Sequence, residues 1–318
     1  INESPDDSAF YEETNTIAKE LDPTRPTGGV RNFQKSQLLE NVFTYNDFSN
    51  TILKPVHKPQ LITEFNGHMF PTKSFDQEER LVEHALRHAR IQEKSYSMDD
   101  LAGAIGWCAF DYNTHLEFGS GDRICYHGVM DMFRLPKFAA YFYASQQDPQ
   151  QRIVLQAATH WTMGDRDTGG VEPLVVFSNC DEVDVWYGDK YHGRFQPDRE
   201  QFPHLPHAPF VIHGLDGSTL WKDRSYGDLW VIGYINGEAV AEQRMEAGAI
   251  PSQLILTADD NELRADGQDM TRVVFKLADK YGNRLPYSHQ VVTSAFGRRH
   301  HPFAQDQSSV ESAGFPRG

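Results

Sequence analysis

The alternation of strand-like and helical segments over residues 1–147 constrains the fold more than any other feature of the sequence. Strands are predicted at residues 27–32, 42–45, 60–65 and 102–110, and helices at 15–21, 78–91 and 136–144. The helix over 78–91 is the clearest, because Leu81, Ala85 and Ala89 recur at helical spacing while Glu and Arg fill the other face. Repeated strand–helix units predict a parallel sheet or a barrel.

The pattern changes after residue 147, where short alternating strands are broken by Gly, Pro and Asp. Strands are predicted at residues 152–157, 174–178, 183–187 and 229–235. The dipeptide Asn236-Gly237 predicts a tight hairpin turn, and no helical periodicity is visible. Residues 148–248 are therefore predicted to form an all-β, immunoglobulin-like sandwich, a fold that needs about 100 residues.

A second β-sandwich begins at residue 249 but is predicted to be truncated. Strands at 253–258 and 271–278 are followed by a turn at 279–283, and the pattern ends there. About 45 residues cannot complete a sandwich that needs roughly 100. Residues 249–296 are therefore expected to be the start of a truncated second module, and the polar segment 297–318 is expected to be an irregular tail.

Charge and cysteine content exclude several classes of protein. The chain carries 30 Lys and Arg against 45 Asp and Glu, a net charge of −15 that argues against binding of nucleic acid. No apolar run approaches the roughly 20 residues of a membrane span, so no membrane partner is expected. The three cysteines are widely spaced, which indicates neither a disulfide framework nor a zinc site. No signal peptide is visible after Ile1, and the compartment stays open.

Two acidic residues, Glu3 and Glu64, stand out as candidates for catalysis. Glu64 ends the apolar strand over 60–65, and the carboxyl end of a parallel strand is where barrel active sites are built. Glu3 follows Asn2 and precedes a helix-start signal. Two such carboxylates can flank a glycosidic bond, one as acid/base and the other as nucleophile. Taken alone, strand-end carboxylates are more often solvated or ion-paired.

Five segments within residues 1–147 carry a family resemblance. They are Ile1-Asn2-Glu3-Ser4-Pro5, Asp22-Pro23-Thr24-Arg25-Pro26, Thr63-Glu64-Phe65-Asn66-Gly67-His68, Ile105-Gly106-Trp107-Cys108-Ala109-Phe110-Asp111-Tyr112, and His127-Gly128-Val129-Met130-Asp131 with Arg134-Leu135-Pro136-Lys137. In that order they resemble the acid/base motif, the turn before strand five, the nucleophile motif, strand eight with its platform Trp, and the closing segment of glycoside hydrolase family 2. More by pattern than by motif, the resemblance continues through 151–294 as the β-sandwich modules of the bacterial β-galactosidase branch.

This resemblance implies both a fold and an activity. The expected fold is the C-terminal half, strands 4/5 to 8, of a (β/α)8 TIM barrel, followed by immunoglobulin-like β-sandwiches. The expected enzyme is a retaining exo-β-glycosidase, first of all a β-galactosidase, with β-glucuronidase and β-mannosidase as alternatives in the same family. Glu64 would be the nucleophile and Glu3 the acid/base of a double displacement, about 5–5.5 Å apart. The expected partner is a β-linked oligosaccharide or glycoside.

The resemblance also implies a set of substrate-binding residues. Asn2 would hold the sugar 2-hydroxyl, and Tyr45 would hydrogen-bond the nucleophile. His68 would contact a sugar hydroxyl, and Asp111 would lie at the rim of the site. Trp107 would form the apolar floor under the sugar ring. Each has a structural alternative, such as core packing for Trp107 and Tyr45 or ordering of a loop for His68.

Four βα units leave an open sheet with two unpaired edges, because a barrel needs eight strands to close. The sequence therefore predicts a fragment that is inactive alone and self-associates through the open half-barrel. No cofactor or metal site can be assigned from these residues. Glu3 and His68 could share a Mg²⁺ or Na⁺ ion whose other ligands would lie upstream.

A competing hypothesis from a different class assigns the chain to binding rather than catalysis. In a non-catalytic carbohydrate-binding or adhesion module, the β-sandwiches would be the functional part. Their aromatic residues Trp161, Trp186, Trp221 and Trp230 could stack on sugars. The alternative for these four is that they are core or interdomain residues.

Overall fold

A computed structural model of the protein describes residues 7–119, 121–163, 169–222, 226–248, 250–286, 288 and 290–293, without the side chains of Trp221 and Lys222. Within those residues the chain is a mixed α/β structure, as the sequence predicts. The predicted site residues Asn2 and Glu3 lie outside the described residues, as does the predicted tail at 297–318.

Four parallel strands form the sheet of the N-terminal region. Strands β1 (Val30–Arg31), β2 (Phe43–Asn46), β3 (Gln60–Glu64) and β4 (Gly103–Ala104) lie in sequence order, each paired in parallel with the next. The helices of this region are α1 (Ser8–Leu21), α2 (Glu78–Tyr96) and α3 (Phe138–Ser145). The predicted parallel sheet is confirmed, and the carboxyl ends of its four strands meet at one edge.

The predicted strand over 102–110 is wrong in its length. Only Gly103 and Ala104 pair with β3 as a strand. Beyond them, the Trp107 N–H donates to the Phe65 carbonyl at 2.9 Å, and the Cys108 N–H donates to the His127 carbonyl at 3.1 Å. The apolar run 102–110 stops pairing with β3 because β3 ends at Glu64 and a short 3₁₀ segment follows at Gly67–Met69. Its later residues hydrogen-bond to the segment that begins at His127 instead. A small antiparallel hairpin of β5 (Tyr112–Asn113) and β6 (Ile124–Cys125), which the sequence analysis missed, comes next.

Helix α1 is fixed to the sheet by a cap and a buried cation. The Asp7 carboxylate caps the helix by accepting the Phe10 N–H at 3.1 Å. The Arg31 guanidinium of β1 lies 3.9 Å from the ring centre of Tyr11 and pairs with Glu40 at 2.7 Å. Arg31 is 1% exposed, so its charge is matched inside the protein by a carboxylate and an aromatic face.

Two antiparallel sheets face each other in the β region. One contains β7 (Leu155–Ala157), β8 (Leu174–Ser178) and β11 (Phe210–Ile212), and the other contains β9 (Glu182–Tyr187), β10 (Lys190–Phe195), β12 (Leu229–Ile235) and β13 (Glu238–Met245). Their inward side chains, among them Val176, Val185 and Val231, form one buried core. The predicted hairpin is confirmed, since Asn236 and Gly237 join β12 to β13 with φ angles of 52° and 81°.

The expectation of an all-β region at 148–248 is corrected by one short helix. Helix α4 (Gly217–Lys222) has only six residues, too few to show an amphipathic period in the sequence. The two strands predicted at 253–258 and 271–278 are present as β14 (Gln253–Ala258) and β15 (Val273–Ala278), and they pair with each other antiparallel. None of the described helices combines the length and apolar character needed to cross a membrane.

One apolar core joins α2 and α3 to the β region. Most of its buried members come from α2, α3, β8 and the segment before β11: Leu81, Val82, Ala85, Ala89, Phe138, Ala139, Phe142, Val175, Phe177, Phe202, Leu205 and Ala208. The buried Glu78 carboxylate of α2 also accepts from Thr159 Oγ1 at 2.7 Å and from the His160 N–H at 2.8 Å. The parallel-sheet region therefore packs directly on the β region, and the boundary at residue 147 stays a prediction.

Candidate active site

An open cleft of about 290 Å³ lies at the carboxyl ends of the parallel strands. Its lining residues are Asn32, Phe48, Glu64, His68, Trp107, Tyr112, Phe118 and His127. They follow or end strands β1 to β4, or belong to the β5–β6 hairpin and the segment after it. The edge where parallel strands end is the usual place for a site in α/β proteins, because the loops there are free to carry function.

Glu64, the last residue of β3, is oriented by the neighbouring strand. Asn46, the last residue of β2, lies opposite it in register. The Asn46 Nδ2 donates to Glu64 Oε2 at 3.0 Å, and Thr63 Oγ1 donates to Asn46 Oδ1 at 2.9 Å. The hydroxyl of Thr63 donates to the Asn46 amide oxygen, which leaves the amide nitrogen to donate to the Glu64 carboxylate. The arrangement stabilises the negative charge of Glu64 and limits the directions in which its side chain can point.

The prediction that Tyr45 holds the nucleophile is corrected by the structure. Tyr45 is 8% exposed and packs in an apolar cluster with Phe43, Ile62 and Ile91 of α2. Burial, followed by the negative charge of Asp47, raises the pKa of the Tyr45 phenol. Neighbouring residues of a strand point to opposite faces, so Asn46 and not Tyr45 reaches Glu64.

A tight turn after β3 places Glu64 beside Trp107. Asn66 and Gly67 both have positive φ angles, 65° and 53°. A Cβ on Gly67 would lie 3.3 Å from Trp107 Cδ1 and 3.4 Å from Glu64 Oε1, and its positive φ would strain any other residue. The Gly67 N–H also donates to the Trp107 carbonyl at 3.1 Å. Glycine is therefore needed where the carboxylate and the indole approach each other.

Trp107 stands at the cleft surface and is held by the Tyr112 hydroxyl, which itself lies near His127. Its indole is 37% exposed, and its Nε1 donates to the Tyr112 hydroxyl at 3.1 Å. That hydroxyl lies 3.5 Å from His127 Nδ1. Burial raises the pKa of Tyr112 to about 12, whereas burial and the charges of His68 and Lys137 lower the pKa of His127 to about 4. Both groups are therefore uncharged at neutral pH, and the floor around Trp107 is neutral.

His68 lines the same cleft and lies among aromatic rings. It is exposed, and its ring centre lies 5.0 Å from that of Phe48 and 6.5 Å from that of Phe118. The structure therefore brings Glu64, His68 and Trp107 together around one opening. Contact of His68 with a sugar hydroxyl stays a prediction.

Asp111 does not lie at the rim of the cleft, which corrects another prediction. It is 4% exposed, and its Oδ1 accepts from Lys137 Nζ at 2.7 Å and from the Gly128 N–H at 2.8 Å. Lys137 Nζ also donates to the Thr72 carbonyl at 2.6 Å. Burial raises the pKa of Asp111 and lowers that of Lys137. This ion pair ties the chain after β4 to the start of α3, which is a structural role.

The residues that sequence reasoning missed are Asn46, Tyr112 and His127. Asn46 directly follows the predicted Tyr45, and strand alternation was the signal that could have found it. Tyr112 and His127 fall inside segments that carried the family resemblance, but their contact depends on the β5–β6 hairpin. Asn2 and Glu3 cannot be placed, because they lie outside the described residues. Within the described part of the chain, no three His, Cys, Asp or Glu side chains gather as a metal site, and a cation beside Glu3 stays a prediction.

The chemistry available in the cleft is that of an oriented carboxylate beside an apolar floor. None of the described residues that line it is Lys or Arg. An uncharged ligand with polar edges and apolar faces would therefore meet matching partners: amide and imidazole groups at the sides and an indole below. Among the described residues that line the cleft, Glu64 is the carboxylate that can act as a nucleophile.

Sequence comparison finds β-galactosidases over nearly the whole chain. The β-galactosidase of Thermoanaerobacterium thermosulfurigenes is 48% identical over 314 residues, covering 92% of this chain and 43% of that protein. The β-galactosidase of Rhizobium meliloti is 43% identical over 319 residues, covering 92% of this chain and 42% of that protein. The chain therefore spans less than half the length of these relatives. No protein-family model matches it.

Several solved glycosidase structures are similar in fold to this chain. A β-glucuronidase from glycoside hydrolase family 2 superposes with a TM-score of 0.63 and 20% identity, covering 88% of this chain and 30% of that one. A β-glycosidase from Bacteroides vulgatus superposes with a TM-score of 0.61 and 16% identity, covering 87% of this chain and 39% of that one. At these identities the likeness concerns the fold alone.

Proposed function

Because the chain belongs to glycoside hydrolase family 2, in its β-galactosidase branch, we propose that the protein hydrolyses terminal β-galactosides with retention of configuration. The observation that carries the proposal is the position of Glu64. It ends a parallel strand, accepts a hydrogen bond from the Asn46 amide at 3.0 Å and lies close to Trp107 across Gly67. A retaining glycosidase needs a carboxylate nucleophile fixed below the sugar ring in this way.

The proposed reaction proceeds by double displacement. Glu64 attacks the anomeric carbon and forms a glycosyl ester, while Glu3 donates its proton to the departing glycosidic oxygen. Glu3 then takes a proton from water, and that water attacks the anomeric carbon and releases Glu64. The structural support concerns Glu64 alone, and the role of Glu3 rests on its Asn-Glu motif.

The side chains around Glu64 have separate tasks in this proposal. Asn46 keeps the carboxylate charged and aimed, so it acts as a positioning residue. Trp107 takes the apolar face of the sugar ring, because polarised C–H groups are attracted to the negative face of an indole. His68 lies where it can reach a hydroxyl at the edge of the ring.

The alternative specificity is a β-glucuronidase, which the names of several structural neighbours suggest. A glucuronide carries a carboxylate that would need a cation in the cleft. The described lining residues include neither Lys nor Arg, and the lowered pKa of His127 leaves its imidazole neutral. The described part of the cleft therefore favours a neutral sugar. A galactoside is for this reason the preferred substrate over a glucuronide, and a mannoside, which is also neutral, remains to be tested.

The same proposal includes the layout of the fold. The four parallel strands would belong to a (β/α)8 barrel, and the two facing antiparallel sheets would be an immunoglobulin-like module. The sequential parallel order of β1 to β4 supports the first assignment, and the number and pairing of β7 to β13 support the second. Self-association through the edges of the parallel sheet is also proposed, and sedimentation velocity at several concentrations tests it.

Hydrolysis of four aryl β-glycosides tests the proposed activity: galactoside, glucoside, glucuronide and mannoside. The assay uses protein concentrations at which sedimentation shows self-association, because the single fragment is predicted to be inactive alone. We expect the galactoside to be cleaved fastest and Glu64→Gln to abolish cleavage. Glu117→Gln, on the exposed tip of the β5–β6 hairpin, is the matched control and should retain activity. A preference for the glucuronide would overturn the proposed specificity. Undiminished turnover in Glu64→Gln would overturn the mechanism.

A further inference from the structure

We infer that the outer face of the sheet β10-β9-β12-β13 is a second glycan-binding surface, separate from the cleft around Glu64. A row of side chains crosses all four strands of this sheet. The register places Tyr191 opposite Trp186, Trp186 opposite Trp230, and Trp230 opposite Arg244. This aromatic row, Tyr191-Trp186-Trp230-Arg244, carries the inference, which does not depend on catalysis at Glu64.

The aromatic row faces away from the core of the β region. The neighbouring residues Val185, Leu229 and Val231 point inward and are 0–1% exposed. Tyr191 is 50% exposed, and Trp186 and Trp230 are half-buried. Large aromatic side chains that gather on an outer sheet face are a feature of binding surfaces. An outer face that only meets water would be more soluble with polar side chains in their place.

Of the four tryptophans considered from the sequence, Trp186 and Trp230 lie on this surface. Trp161 is 0% exposed and belongs to the core between the two sheets. The side chain of Trp221 lies outside the described residues. The structure therefore selects these two as the candidates for stacking on a sugar, with the Arg244 guanidinium lying over one face of the Trp230 ring.

The rings of the aromatic row are held in place before any ligand arrives. The ring centres of Tyr191 and Trp186 are 4.8 Å apart, and those of Trp186 and Trp230 are 6.3 Å apart. Trp230 Nε1 donates to Glu242 Oε2 at 3.0 Å, and the Arg244 guanidinium lies 4.0 Å from the Trp230 ring centre. Little side-chain entropy is left to lose on binding, which favours affinity.

The chemistry around the aromatic row indicates an uncharged, hydroxyl-rich ligand. Arg194 pairs with Asp184 at 2.7 Å, and Arg244 pairs with Glu242 at 3.5 Å. The Arg194 and Arg244 guanidiniums on this face are thus matched by carboxylates, which suits a neutral polyol better than an anionic ligand. Aromatic faces attract the C–H faces of sugar rings, and an extended β-linked chain offers several such faces in sequence. The proposed ligand is therefore a β-linked polysaccharide.

Affinity electrophoresis of the protein tests this surface, with β-1,4-galactan in one gel and dextran, an α-linked glucan, in the matched gel. We expect galactan and not dextran to retard the protein. The double variant Trp186→Ala/Trp230→Ala should raise the apparent Kd by about tenfold or more, since it removes stacking at two rings. Trp107→Ala, which alters the cleft instead, should remain retarded.

Circular dichroism of the double variant shows whether it folds. If the double variant does not fold, Tyr191→Ala takes its place in the gels. The unmodified protein is then also titrated with galactan, and a change in its tryptophan fluorescence emission is expected on binding. Equal mobility in both gels would overturn the inference, as would retardation that Trp107→Ala abolishes. If the double variant still binds galactan but no longer self-associates in sedimentation, the face is a contact between copies of the protein. That result would also overturn the inference.

Discussion

Two buried histidines of α2 make the stability of the protein depend on pH. His84 and His88 are 2% and 0% exposed, and their ring centres lie 5.0 Å apart. His88 Nδ1 is 2.9 Å from the Tyr143 hydroxyl. Burial, followed by the charge of Lys137, lowers the pKa of His88 to about 3. Burial, followed by the neighbouring His88, lowers the pKa of His84 well below its usual value.

The direction of the effect follows from proton uptake. An unfolded chain keeps the histidine pKa near 6.5, so below that pH the unfolded state binds a proton that the folded protein does not. The free energy of unfolding therefore falls as the pH drops from about 6.5 towards the folded-state pKa of about 3. At about 1.4 kcal/mol per pH unit, a change from pH 7.5 to pH 5 removes about 2 kcal/mol at His88 alone. His84 adds a loss of the same sign.

Urea unfolding at pH 7.5, 6 and 5, followed by circular dichroism, measures this loss. We expect His88→Gln, whose amide does not titrate, to lose about 2 kcal/mol less than the unmodified protein between pH 7.5 and pH 5. His115→Gln, at an exposed position, is the control and should leave the pH dependence unchanged. Identical pH dependence in the unmodified protein and His88→Gln would refute the reasoning.

Three further predictions concern the cleft and its support. Asn46→Ala removes the hydrogen-bond donor to Glu64. Because a hydrogen bond to a charged group is worth about 1.5–3 kcal/mol, kcat for an aryl β-galactoside should fall about ten- to hundredfold. An unchanged kcat would contradict the positioning role of Asn46. Tyr112→Phe removes the hydroxyl that accepts from Trp107, and KM should rise about two- to tenfold with an unchanged circular dichroism spectrum; an unaltered KM would remove Tyr112 from the site. Lys137→Met leaves the buried Asp111 without its cation and should cost about 3–5 kcal/mol in urea unfolding. Lys137→Met/Asp111→Asn should regain part of that loss, and equal stability of the two variants would argue against the ion pair.

The fold was predictable where a periodic pattern fixes both the element and its partner. The amphipathic stripe of α2 and the Asn236-Gly237 turn are local signals, and both elements formed as expected. The run 102–110 was misjudged because its pairing is not local. Its residues turn from β3 to the segment at 127–130, and this change depends on the end of β3 at Glu64. Helix α4 was missed because six residues are too few to show a period.

The site was predictable only where a motif names the residue. Glu64, His68 and Trp107 come from such motifs, and the structure brings them to one cleft. The family resemblance assigned the contact with Glu64 to Tyr45, but Tyr45 and Asn46 point to opposite faces of β2, and Asn46 makes the contact. Asp111 was predicted at the rim because nothing in the sequence shows that it has a buried partner. That partner, Lys137, lies 26 residues away along the chain, and the contact between them forms only in the folded structure.

The central claim is that Glu64 is the nucleophile of a retaining galactosidase, and trapping the glycosyl-enzyme tests it most directly. The protein is incubated with a 2-deoxy-2-fluoro-β-galactoside that has a good leaving group, and its peptides are then analysed by mass spectrometry. We expect the peptide that contains Glu64 to gain one fluorogalactosyl group on that carboxylate, and Glu64→Gln to gain none. An adduct on another carboxylate, or galactoside turnover with no adduct formed, would contradict the claim.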